Sequence, residues 1–297
     1  MNKKNRLIPY LFVAPAVLLV FIFYIFPIVI ALIISFTNMD LKGLADFSKI
    51  KFIGSSNYYR LFKDDIFVKS IMNTMFFVFF GVPVVVIYSL FLALLVNFRE
   101  SKFFTAMRSV FYMPSVTNIV AVSVVFLYMY NPVFGLLNFL LGKVGISPVY
   151  WLTGGPIISK ISLIIMAVWR ASGLNMIIFL AALKGVPKEY YEAAKIDGAG
   201  PPQQLLKITL PQIFYAVMFV SITTVIGWIQ FFDEPFIMTD GNPLNGTLSI
   251  ALFIYKNGFK FNKFGYSATA SLVLLAGIML VTMIQFQISK KFDKMGV

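Results

Sequence analysis

Six stretches of the chain stay apolar for the roughly 20 residues that a helix needs to cross a bilayer core. They are Leu7–Phe36, Ile71–Phe98, Val110–Tyr130, Ile161–Leu183, Ile213–Phe232 and Ser267–Ile288. Polar residues collect between these windows, so the pattern predicts an all-α integral membrane protein with six transmembrane helices and both termini on one side. The first window is longer than a straight helix requires and carries Pro15 and Pro27, which predicts tilting or a kink at Pro27. The first outer loop, Thr37–Lys69, mixes charge with Phe52-Ile53-Gly54, Tyr58-Tyr59-Arg60 and Leu61-Phe62, and predicts a short helix along the membrane surface. Between Asn131 and Lys160 the chain is rich in Gly and Pro, with Trp151 placed as an interfacial anchor. The expected organisation is a first span with its outer loop over 1–70, a transmembrane body over 71–290 that includes a cytoplasmic loop at 187–211, and a cytoplasmic tail over 291–297.

Composition agrees with the pattern: 59% of the 297 residues are hydrophobic and 12% charged, too apolar for a soluble domain of this length. The absence of cysteine removes disulfides and thiolate metal sites, and the absence of histidine removes the usual neutral-pH acid/base group. A formal charge of +13 is spread over short loops, which fits lipid headgroups and topology and gives no reason to expect nucleic acid. With the termini inside, the inner segments hold thirteen basic residues (Lys3, Lys4, Arg6; Arg99, Lys102, Arg108; Lys184, Lys188, Lys195, Lys207; Lys290, Lys291, Lys294) against eleven outside, over little more than half the length. That density sets both termini in the cytoplasm. The basic start and apolar run resemble a signal peptide, but the run continues to Phe36 without a small-residue cleavage site and reads as a retained first span.

The loop between the fourth and fifth windows carries the most information. Pro187 is suited to open a helix, Glu189 to Ile196 favour one, Asp197-Gly198 supplies a turn, and Pro201-Pro202 start a second short helix. Two short helices at an angle, with Ala193, Ala194 and Ala199 on the way, form a compact knob suited to a groove on a partner protein.

The spaced pattern Glu192-Ala193-Ala194, Asp197-Gly198-Ala199, Ile208, Leu210 and Pro211 resembles the EAA motif of permease subunits in binding-protein-dependent ABC importers, in particular the maltose, multiple-sugar and glycerol-3-phosphate branch. The resemblance extends to Phe52-Ile53-Gly54, Asn73-Thr74, Arg108 with Phe111-Tyr112-Met113-Pro114-Ser115, Tyr130-Asn131-Pro132, Phe232-Asp233 and Phe264-Gly265-Tyr266. It departs at Phe214-Tyr215, where a proline is common, and at Gly241-Asn242-Pro243, where Gly-Gly-Pro is usual.

The resemblance implies a type I ABC importer permease fold. It also implies an ATPase-coupling role for Glu192, Ala193, Ala194, Asp197, Gly198, Ala199, Leu210 and Pro211. No cofactor is then expected on this chain, ATP and Mg being used by a partner nucleotide-binding ATPase dimer, in keeping with the absence of a Gly-x-x-x-x-Gly-Lys-Ser/Thr phosphate loop. The other implied partners are a second permease subunit in a heterodimer, an extracellular solute-binding protein, a sugar-like solute and the lipid bilayer of the cytoplasmic membrane.

Candidates for the solute pathway are Arg170, the only basic residue well inside a window, with Asn175 and, more weakly, Trp169 on the same span. Thr224, Gly227, Trp228 and Phe231 fall on one face of the fifth span, with Gln230 and Asp233 as polar neighbours. By the resemblance that face lines the sugar site of maltose-type relatives. The same residues also have structural readings: Asp-Gly as an ordinary turn, the Trp and Phe stripe as helix packing, and Arg170 as a snorkelling side chain. An ion-driven transporter would normally need buried acids or histidines, and none lies well inside a window, which disfavours proton coupling and leaves sodium sites built from carbonyls open. A membrane enzyme would need a nucleophile and base, and the acid pairs Asp64-Asp65 and Asp233-Glu234 read as solvated loop residues.

Overall fold

A computed structural model describes residues 3–97 and 101–293; Phe98, Arg99, Lys294 and the tail beyond 293 lie outside the described residues. Among the described residues, four helices are long and apolar enough to cross a membrane: α1 (Tyr10–Ser35), α2 (Asp65–Asn97), α5 (Pro156–Lys184) and α9 (Phe264–Lys290). Two bent pairs, α3 (Lys102–Val116) with α4 (Ile119–Met129) and α7 (Pro201–Gln212) with α8 (Phe214–Ile229), bring the number to six when each counts as one broken span. Helix α6 (Lys188–Ile196) lies between α5 and α7.

The third window is therefore not a single helix, since α3 and α4 meet at 98°. Pro114 removes a backbone donor from the last turn of α3. Asn118 then starts α4 afresh, its Oδ1 accepting from the Val120 N–H at 2.8 Å. The kink expected at Pro27 takes another form. Widened turns occupy Phe21–Ile25, Phe77–Gly81 and Leu205–Thr209. A proline follows each two residues on, at Pro27, Pro83 and Pro211. A proline ring collides with the carbonyl four residues back, and here those carbonyls, on Phe23, Phe79 and Lys207, are the central ones of the three turns. Opening the helix there absorbs the collision, and α1 and α2 run on.

The chain divides into two compact units. In the first, Met1–Phe67 with Phe253–Ala276, the outer loop is folded rather than loose. Thr37 bridges Phe52, and the Asn57 Nδ2 donates to the carbonyls of Ser35 and Thr37 at 2.8 and 2.9 Å. The short helix expected in this loop forms over Ser56–Phe62 and buries Asn57 and Leu61.

In the second unit, Val68–Leu252 with Gly277–Val297, α5 packs along the second half of α2 and along α3. Its core gathers Leu92 and Val96 of α2, Met176, Phe179 and Leu183 of α5, and Ile213 and Val220 around the start of α8. Within a bilayer such contacts gain little from excluding water, so close van der Waals packing carries the association. Trp151 donates its Nε1 to Asn138 Oδ1 at 3.0 Å and packs on Tyr130.

Candidate functional site

The knob between α5 and α8 forms largely as its residues dictate. Helix α6 starts at Lys188, with Pro187 one position earlier than expected, as the cap. It ends at Asp197, and Gly198 takes φ +80°. That left-handed residue lets the Ala199 N–H reach back to the Ala194 carbonyl at 2.8 Å and the Gly198 N–H to that of Lys195 at 3.1 Å, closing the helix end. The second helix begins at Pro201. Tyr191 Oη and Thr209 Oγ1, 3.0 Å apart, tie the two helices together, while Tyr191 and Leu210 pack on the core below.

Outward, the knob presents two isolated apolar side chains among charged ones. Ile196 is 87% exposed, Leu206, Glu192, Ala193 and Asp197 are also exposed, and Ala194, Ala199 and Pro211 are half-buried. An isoleucine so fully in water on a two-helix hairpin otherwise anchored to a core points to a covered surface.

A cavity of about 340 Å³ lies among α3, α5, α8 and the segment after α8. All seven pathway candidates, Arg170, Asn175, Thr224, Gly227, Trp228, Gln230 and Phe231, line it. Trp169 does not, as it packs on Phe126 at 5.4 Å and faces a separate groove.

The aromatic candidates border the cavity from behind. Trp228 and Phe231 are 5% and 6% exposed, stacked on each other at 5.1 Å, with Phe77 at 4.9 Å from Phe231. The indole lies so close over Gly81 that a β-carbon there would overlap its ring. Gly81→Ala should therefore lower stability by about 1–3 kcal/mol, the usual cost of overpacking. Thermal unfolding of the purified chain measures this, and a wild-type midpoint would contradict the tight packing. Gly227 differs, because nothing lies within 4 Å of a β-carbon built on it and it opens onto the cavity.

Arg170 sits halfway along α5, about 21 Å from either end at 1.5 Å per residue. That is too far for its side chain to snorkel to an interface. Its Nη2 lies 3.2 Å from Glu234 Oε1, and Glu234 is 3% exposed. Arg170 Nε is buried with no partner, while Ser115 Oγ donates to the Arg170 carbonyl and accepts from the Leu174 N–H, fixing the backbone at this point. Glu234 is thus no solvated loop acid, and this corrects the sequence reading. The available signal was Arg170 itself, since a cation at mid-span calls for a counter-charge and Asp233-Glu234 is the acid pair that follows the fifth window.

In sum, the cavity wall combines a neutralised arginine, amide and hydroxyl groups, and a bare glycine backed by aromatics. It provides hydrogen-bonding partners for a polar solute and no nucleophile–base pair.

Residues 62–294 match the family described as binding-protein-dependent transport system inner membrane component. The lactose transport system permease protein LacF of Rhizobium radiobacter is 34% identical over 287 residues, 95% of this chain and 94% of the relative. The arabinooligosaccharides transport system permease protein AraP of Bacillus subtilis (strain 168) is 33% identical over 295 residues, 99% of this chain and 92% of the relative. Among solved structures, a chain of the bacterial alginate ABC transporter in complex with alginate pentasaccharide-bound periplasmic protein superposes with a TM-score of 0.81. That likeness covers 98% of this chain and 96% of the other at 23% identity, and is one of fold.

Proposed function

Because the chain belongs to the family of binding-protein-dependent transport system inner membrane components, we propose that it lines part of the passage for a saccharide in an ATP-driven importer and receives its drive through the knob. It is an integral membrane permease with the ABC importer fold, and its relatives are transport subunits rather than enzymes.

A saccharide fits the chemistry of the cavity. Hydroxyls need amide, hydroxyl and guanidinium partners, which Asn175, Thr223, Gln230 and Arg170 offer, and relatives named for lactose and arabinooligosaccharides support that class. In this reading a second permease subunit completes the passage, an extracellular binding protein delivers the solute, and both termini face the cytoplasm. A nucleotide-binding ATPase dimer covers Glu192, Ala193, Ile196 and Leu206 on the knob, and ATP and Mg are bound there rather than on this chain.

The observation that carries the reading is the continuity of α5, a 29-residue helix whose midpoint bears the cavity arginine and whose end leads four residues later into the knob. A displacement of the knob is thus transmitted along one stiff element to the cavity.

The test fills the cavity without disturbing its walls. Gly227→Leu places a side chain in open space, so the fold should persist while uptake of the transported saccharide, in vesicles holding the complete importer, falls at least tenfold. Uptake at the wild-type rate would remove the cavity from the passage.

A further inference from the structure

Helix α3 carries two recesses that the transport reading leaves unused. At its start, Ser101, Lys102, Thr105 and Arg108 form a cleft of about 380 Å³ with Lys184 from the last turn of α5. Three cations meet here, and among the described residues none of them pairs with a carboxylate, the ion pairs found being Lys49–Asp46 and Arg170–Glu234. Arg108 is held in place by an Nη2 bond to the Val96 carbonyl at 3.2 Å, and its Nε is buried without a partner. The cleft thus sets two exposed lysines and two hydroxyl groups around an anchored arginine, suited to the oxygens of a phosphate-type anion.

From the cleft an apolar stripe runs along the exposed side of the same helix. Phe103, Ala106, Val110 and Met113 follow three- and four-residue spacing and are all exposed, Phe103 by 64% and Met113 by 63%. Val110 and Met113 then form one wall of a groove of about 400 Å³, which Val125, Phe126 and Trp169 help to close at the bend between α3 and α4. From Lys102 to Met113 is eleven residues, about 16 Å of helix. One leaflet of the hydrocarbon core is about 15 Å deep, half of the full thickness.

We propose that α3 holds one anionic phospholipid, with its phosphate among Lys102, Arg108 and Lys184 and an acyl chain along Phe103 to Met113 into the Trp169 groove. A free phosphate explains the cleft but not the apolar track of leaflet length that leaves it. The leaflet is the one next to the knob, since Lys184 ends α5 four residues before α6 begins. The lipid would brace the junction of α2, α3 and α5, and this does not depend on which solute is carried.

Trp169, one of three tryptophans, reports on the groove. The full chain is purified in detergent and titrated with phospholipids carrying brominated acyl chains, which quench indole fluorescence; Trp169→Phe isolates the contribution of that residue. Brominated phosphatidylglycerol should be favoured over brominated phosphatidylcholine by roughly tenfold, at the usual strength of cation–headgroup attraction. In Lys102→Gln/Lys184→Gln, which alters two exposed side chains and leaves Arg108 in place, that preference should fall towards parity. Equal quenching of Trp169 by both lipids in the wild type, or an unchanged preference in the double variant, would overturn the proposal. Abolition of the preference by millimolar inorganic phosphate, with the acyl chain still bound, would assign the cleft to a soluble anion and overturn it as well.

Discussion

Gly198→Val is expected to abolish ATP-driven uptake while the protein still inserts, accumulates and unfolds at its normal temperature. Gly198 holds φ +80° at the end of α6, and the bond from the Ala199 N–H to the Ala194 carbonyl depends on that backbone. A β-branched residue pays about 1–2 kcal/mol or more to stay left-handed, so the turn re-forms in another shape. Nothing lies within 4 Å of the added β-carbon, so no clash inside the chain competes with this backbone effect. The core contacts of Tyr191 and Leu210 should keep the knob attached while its outer surface, with Ile196 and Leu206, is turned away from the proposed ATPase partner. A graded series separates the causes. Asparagine tolerates the left-handed region, so Gly198→Asn should retain most uptake, Gly198→Ala less and Gly198→Val none. If asparagine is as damaging as valine, side-chain bulk against the partner is the operative factor, and normal uptake in all three would end the coupling role of the knob.

Glu234→Ala should be the most destabilising single change at the cavity, at about 3 kcal/mol, because it strands the guanidinium of Arg170. The low end of the range for broken buried pairs applies, since the Arg170 side chain is 29% exposed towards the cavity. Arg170→Met should cost less, as a lone carboxyl can take up a proton whereas a guanidinium cannot shed one. The double variant Arg170→Met/Glu234→Ala should recover most of the loss, because it removes both desolvated charges. Thermal unfolding of the four proteins in one detergent decides the matter. A double variant whose loss equals the sum of the two single losses would mean that the two side chains act independently and that the 3.2 Å contact contributes nothing.

Much of this molecule is legible residue by residue. The knob could be laid out from Pro187, Asp197-Gly198 and Pro201-Pro202, because its caps and turns depend on neighbours within a few positions. The mid-span charge of Arg170 and the helical spacing of Thr224, Gly227 and Phe231 likewise marked pathway candidates, and these border one cavity with Asn175. The sequence did not separate the residues that open onto that cavity from those behind it. Trp228 and Gly227 are adjacent, yet one is packed over Gly81 and the other faces open space, a difference set by a helix 147 residues away in sequence.

By itself the amino-acid sequence determined the apolar spans, the helical class and the hinged knob, since each is settled by energies among contiguous residues. Tertiary structure alone decided that Arg170 meets Glu234 across 64 positions and that the aromatic face turns inward. Those outcomes rest on which helix lies against which. That choice is made by close packing and charge pairing between distant segments, and hydrophobic periodicity, which records only that a face is apolar, does not encode it.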